Sequence, residues 1–175
     1  MKLLVAFGVV ALAAVAAAAS ASSAVSLRLC KGPQLSGSFA VVKGSAGAGN
    51  ISYQLVLKNV SRTTCELTGL PQGRLLGKKG KALPTHVRAA FPGALTAVLV
   101  RLAPGRKAYA TARFSPDVPG PGEPRAGTKC EPTASYLRVT AQGGGTVKVK
   151  LSPPTPVCEH GQLQFSSYGT RPATP

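Results

Sequence analysis

The sequence predicts an all-β sandwich, and three observations carry that expectation. Beyond residue 24 no segment shows helical periodicity, short segments alternate apolar and polar residues with a period of two, and Gly- and Pro-rich turns separate them. The four cysteines, even in number and following an apolar leader, add two expected disulfides.

Met1 and Lys2 precede an apolar run from Leu3 to Ala19 and the small residues Ala19-Ser20-Ala21 and Ser22-Ser23-Ala24. One positive charge, a hydrophobic segment and an A-x-A-like site form a secretory signal, expected over 1–24. Nearly half of the run is alanine, which gains little from burial in lipid, so a retained membrane anchor is disfavoured. What remains is long enough for one core, expected over 25–168, with 169–175 as a loose tail.

The first strand is expected over Ser36–Lys43 and the second over Asn50–Lys58. In the second, Ile51, Tyr53, Leu55 and Leu57 form the inward row and Ser52, Gln54, Val56 and Lys58 the outward one. Gly44, Gly47 and Gly49 allow the chain to turn between the two strands. Cys65 and Leu67 begin a short extended piece that Gly69 and Pro71 close. Leu75 and Leu76 turn through Gly77-Lys78-Lys79-Gly80-Lys81 to Leu83 as a second hairpin, whose lysines guard a strand edge. Thr85–Phe91 is expected to be extended, and Pro92-Gly93 to turn the chain.

A third hairpin is expected to join Val98, Val100 and Leu102 to Ala108, Ala110, Ala112 and Phe114 through Ala103-Pro104-Gly105-Arg106. Its alanines leave volume for large neighbours. Ser115–Pro132 has five prolines and no periodicity, so Pro116–Gly127 is expected to be the most mobile part of the domain. The last hairpin turns at Gln142-Gly143-Gly144, with Leu137, Val139 and Ala141 facing Val147, Val149 and Leu151. Pairing Ala141 with Gly145 sets Arg138 opposite Lys148 and Tyr136 opposite Lys150. Leu163 and Phe165 mark a final short strand.

Four cysteines allow three connectivities. Hairpin geometry selects Cys30 with Cys65 and Cys130 with Cys158, because each hairpin brings its own pair to one end. No C-x-x-C occurs, and His86 and His160 lack a partner at metal-ligand spacing, so no metal or cofactor is expected. G-x-S-x-G, S-x-x-K and H-E-x-x-H are absent. Gly47-x-Gly49 lacks the third glycine and precedes a strand, which excludes a dinucleotide fingerprint. Gly77-Lys78 is not a phosphate-binding loop either, since no Ser or Thr follows it.

The formal net charge is +16 with five acids, a balance that favours an anionic partner, either a polymer or a membrane surface, with no specific nucleic acid and no small-molecule substrate indicated. Opposed like charges are costly on a strand pair, which makes Arg138, Lys148 and Lys150 the candidate anion contacts. Glu66, Glu131 and Glu159 each follow a cysteine, and disulfide pairing would bring two of these carboxylates together. A hydrolase using Glu131 and Glu159 is therefore the alternative reading, and a protein-interaction module a further one.

The residues Gly44 to Tyr53, Asn59-Val60-Ser61, Thr64-Cys65, Leu67-Thr68-Gly69, Pro71, Leu83-Pro84-Thr85, Leu102-Ala103-Pro104-Gly105, Ser115-Pro116-Asp117, Cys130-Glu131-Pro132 and Val157-Cys158 occur in an order that resembles the secreted actinobacterial domain of unknown function 4232. The resemblance spans about Cys30 to Tyr168. It implies an immunoglobulin-like antiparallel β-sandwich in a secreted or envelope protein, and it implies no catalytic residues. The function expected is that of a non-catalytic, envelope-associated module.

Overall fold

In a computed structural model of the chain the described residues are 28–94, 98–124 and 129–173. The expected signal over 1–24 lies outside them. Among the described residues ten strands follow one another: β1 (Leu35–Val41), β2 (Ile51–Asn59), β3 (Cys65–Leu67), β4 (Gln72–Leu76), β5 (His86–Ala89), β6 (Val100–Leu102), β7 (Lys107–Phe114), β8 (Ala134–Thr140), β9 (Thr146–Thr155) and β10 (Gln162–Phe165). Eight of them form one sheet in the order β4-β8-β9-β1-β2-β7-β10-β5, and β3 pairs with β6 separately. The fold is all-β, with two disulfides.

The large sheet has two limbs. β1 meets β9 in parallel at only two register pairs, Phe39 with Leu151 and Ala40 with Ser152, and this short seam joins β4-β8-β9 to β1-β2-β7-β10-β5. In a flat sheet β1 and β10 would be about 14 Å apart, at roughly 4.8 Å per strand. The rings of Phe39 and Phe165 nevertheless stack with centroids 5.9 Å apart, so the sheet curls around its apolar face. Inward residues of both limbs and of β3-β6 then merge into one core.

Alternation in β2 works as expected. Tyr53, Leu55 and Leu57 are fully buried, and across the ladder they meet Ala112, Ala110 and Ala108. The volume left by the alanines of β7 is thus filled by its own neighbour's large side chains. Leu75 of β4, Leu137 and Val139 of β8, and Val147, Val149 and Leu151 of β9 supply the other wall.

The expected third hairpin is corrected: β6 pairs with β3, and β7 pairs with β2 and β10. Asn59 explains the change. Its buried side chain donates to the carbonyls of Thr63 and Leu102 while its backbone carbonyl accepts from Gly105 and its N–H donates to Arg106. The Ala103–Arg106 turn is clamped to the end of β2, so the chain changes sheets there instead of folding back. Asn59 also accepts from the N–H and hydroxyl of Ser61, which makes Asn59-Val60-Ser61 a structural staple.

The second hairpin is short, a single bridge between Leu76 and Ala82, and the main partner of β4 is β8. At the C-terminus Gly169 still exchanges two backbone hydrogen bonds with Tyr109, so order runs past the expected boundary at Tyr168.

Candidate functional site

Two groups of charged side chains among the described residues bear on function. The first is the outer face of β4-β8-β9. The β8–β9 register is Tyr136 with Lys150 and Arg138 with Lys148, and the turn pairs Ala141 with Gly145. β4 adds a residue that local patterning could not assign, because Arg74 stands opposite Arg138. Arg74, Arg138 and Lys148 are therefore three exposed cations in one ladder row.

One level along the strands, exposed Lys150 lies beside Tyr136, over whose ring the Lys148 ammonium sits 4.9 Å from the centroid. One level the other way, Gln72, Thr140 and Thr146 form an exposed neutral row. No acid occurs from Leu67 to Pro116 or from Pro132 to Val157. Nothing on these three strands neutralises the row.

The second place surrounds Cys130–Cys158. After Cys158 the chain makes one left-handed turn, with φ of 56° at Glu159, 57° at His160 and 78° at Gly161. Successive left-handed residues turn their N–H groups to one side and create an anion-binding concavity. Glu123 fills it. Its carboxylate accepts from the N–H of His160, from Glu159 at 2.9 Å and from Gly120 at 2.7 Å, and its side chain is 2% exposed.

Pro116–Gly127 has no apolar row to bury, which is why mobility is expected of it. In residues 116–124 hydrogen bonds stand in for such a row: one buried carboxylate pins the segment to the disulfide turn, and the Ser115 hydroxyl ties down Val118. Residues 125–127 lie outside the described part. Glu123 sits in a proline-rich stretch without periodicity, and no local signal marks it.

His160 Nε2 lies 3.0 Å from the Pro121 carbonyl, which only accepts, so that nitrogen carries a proton. Nδ1 then faces Glu123 at 3.6 Å and Glu131 at 3.8 Å. Burial alone would raise the Glu123 carboxyl, but the three N–H donors and His160 outweigh it and hold the group below its ordinary value. Burial, then the neighbouring Glu123 carboxylate, push Glu131 upward against the opposing pull of His160.

Glu123, Glu131 and His160 each offer one ligand atom, all within 4.8 Å of one another. Both oxygens of Glu123 are already engaged, which leaves one carboxylate and one imidazole nitrogen, fewer than cation sites usually draw from protein. Glu159 lies apart from this trio, its carboxylate accepting from Gln162 Nε2 at 2.5 Å. The carboxylate that approaches Glu131 is thus Glu123, and Glu131 and Glu159 have different partners. An open cleft of about 450 Å³ borders the turn, lined by His86, Arg88, Pro119–Pro121, Glu159 and Gln162.

The two shifts have opposite signs for stability. Glu123 contributes stability that is present above its unfolded-state value and lost as pH falls through its depressed folded value. Glu131, raised in the folded state, binds its proton more tightly there, so its contribution is lost as pH rises through the raised value. The joint contribution of these two carboxyls is therefore greatest between the depressed folded value of Glu123 and the raised one of Glu131. Glu131→Gln should raise stability at neutral pH and flatten the decline on the alkaline side, read by thermal unfolding across a pH series. An unchanged profile would remove Glu131 as its cause.

A family model described as Domain of unknown function (DUF4232) matches residues 30–169. No curated protein and no solved structure is matched by the chain.

Proposed function

From the premise that the chain belongs to the DUF4232 family, we propose that it is a secreted, non-catalytic, envelope-associated module whose β4-β8-β9 face binds an anionic partner. The observation that carries this reading is the ladder row Arg74, Arg138 and Lys148 without a neutralising acid. Like charges directly opposed across strands cost some tenths of a kcal/mol each, and a bound anion removes that cost. Two disulfides accord with export to an oxidising compartment, as the apolar leader implies. Three of the five acids have structural work in this reading: Glu123 closes the left-handed turn that contains Glu159, and Glu131 faces the same turn.

The test compares the wild type with Arg138→Ser plus Lys148→Ser for binding to a soluble polyanion over a salt series. Each lost phosphate-type contact should reduce the slope of log K against log salt by about 0.7, so the double variant should lose about 1.4 and bind roughly 10–100-fold more weakly at low salt. An unchanged slope would show that the two side chains are only solvated and would defeat the reading.

A further inference from the structure

Resting on that reading of the β4-β8-β9 face, we propose that its ligand is a linear phosphodiester chain with polyol or sugar repeats, lying along β8 in a track that ends at the lysine tip after β4. The cations are arranged in levels. Arg74, Arg138 and Lys148 share one level, Lys150 and Tyr136 the next, and the Lys78, Lys79 and Lys81 tip continues the same direction, since β4 runs from Arg74 through Leu76 into that turn. Gly77 donates to the Lys81 carbonyl, which closes the turn and holds its three exposed lysines at the end of the limb.

Successive outward residues on a strand are about 6.6–6.8 Å apart. A chain of single bonds advances about 3.3–3.6 Å for every three bonds when extended. One charge per level therefore fits a polymer with about six bonds between charges, which is the repeat of a polyol phosphodiester. Inorganic polyphosphate packs its charges much more densely. A phosphodiester also has two non-bridging oxygens, so one phosphate can accept from two cations opposed across the ladder, such as Arg138 and Lys148.

The neutral groups agree with this chemistry. Gln72, Thr140 and Thr146 form a hydrogen-bonding row beside the first cation level, suited to hydroxyls of a repeat unit. The half-exposed Tyr136 ring holds the Lys148 ammonium over its face, which sets that cation between the two levels, where a phosphate of the chain would pass. A point anion would leave the outer levels unused. A lipid surface would make no use of the neutral row.

The experiment titrates the purified chain with glycerol-phosphate oligomers of increasing length, with monomeric glycerol phosphate, with inorganic polyphosphate and poly-glutamate of matched charge, and with phosphatidylglycerol vesicles. Affinity for the oligomers should rise with length up to about four units, which spans the track at about 7 Å per unit. It should exceed that for matched polyphosphate and poly-glutamate by about tenfold. Lys78→Ser plus Lys79→Ser plus Lys81→Ser should abolish the gain from the longest oligomers while leaving binding of the shortest unchanged. Equal affinity for polyphosphate or poly-glutamate, no dependence on length, or binding to vesicles alone would overturn the phosphodiester track while sparing the basic face as an anion site. Absence of binding to every probe would overturn both.

Discussion

Replacing Glu123 by alanine is expected to destabilise the protein by about 4 kcal/mol, the range for leaving buried charged hydrogen bonds unmade. The variant loses three backbone donors' acceptor at once, those of Gly120, Glu159 and His160. It also leaves Glu159 and His160 in left-handed backbone, which costs about 1–2 kcal/mol per residue and is offset in the native state by these bonds. For a domain of this size the melting temperature should fall by roughly 10 °C or more. Glu123→Gln keeps one acceptor but sets its NH₂ against N–H donors, so an intermediate loss is expected. Glu159→Gly should partly restore the alanine variant, because glycine takes positive φ without strain. If Glu123→Ala melted within a degree or two of wild type, the carboxylate would not be what holds the segment before Cys130.

The second large effect is expected at Gly161, where alanine should cost about 2–4 kcal/mol. Its φ is +78°, and a Cβ there would overlap the backbone carbonyl oxygen of Pro84. Positive φ costs an alanine about 1 kcal/mol, and forced overlap with backbone adds about 1–3 kcal/mol because neither partner can rotate away. Gly80 is the control. It has the same φ of +78° with nothing within 4 Å of its Cβ direction, so Gly80→Ala should lose only the conformational part. Urea unfolding of both variants separates the two contributions, and equal losses would show that the approach of the Pro84 segment imposes no constraint.

Gly161 and Glu123 also show what local patterning conveys and what it leaves out. Period-two alternation marked β2, β7, β8 and β9 because each buries one face, and burial constrains every second residue. The glycines at 143 and 144 set the β8–β9 turn, and with it the opposition of Arg138 and Lys148. β3 was legible as a short extended piece and β6 as a strand of a hairpin with β7, but the pairing of β3 with β6 was not legible. Three-residue strands contain too few inward positions to specify a partner, and Asn59 decides it by clamping the turn at Gly105 and Arg106. Of the basic face, Arg138, Lys148 and Lys150 could be placed from one hairpin. Arg74 could not, since β4 reaches β8 across roughly sixty residues of chain.

By itself the sequence determined the all-β class, the inward rows, the last hairpin's register and the lopsided charge, because all of these depend on residues near one another in the chain. Only the tertiary structure decided how the sheet curls through the two-pair β1–β9 seam, which strands meet β6 and β7, and that Arg74 completes the cation row. It alone brought Glu123, Glu131 and His160 to one disulfide. The physical reason is that ladder pairing and hydrogen bonding are satisfied by any suitably placed donor or acceptor, so distant partners leave no periodic trace. Only the enclosure of a single core fixes which of them come within reach.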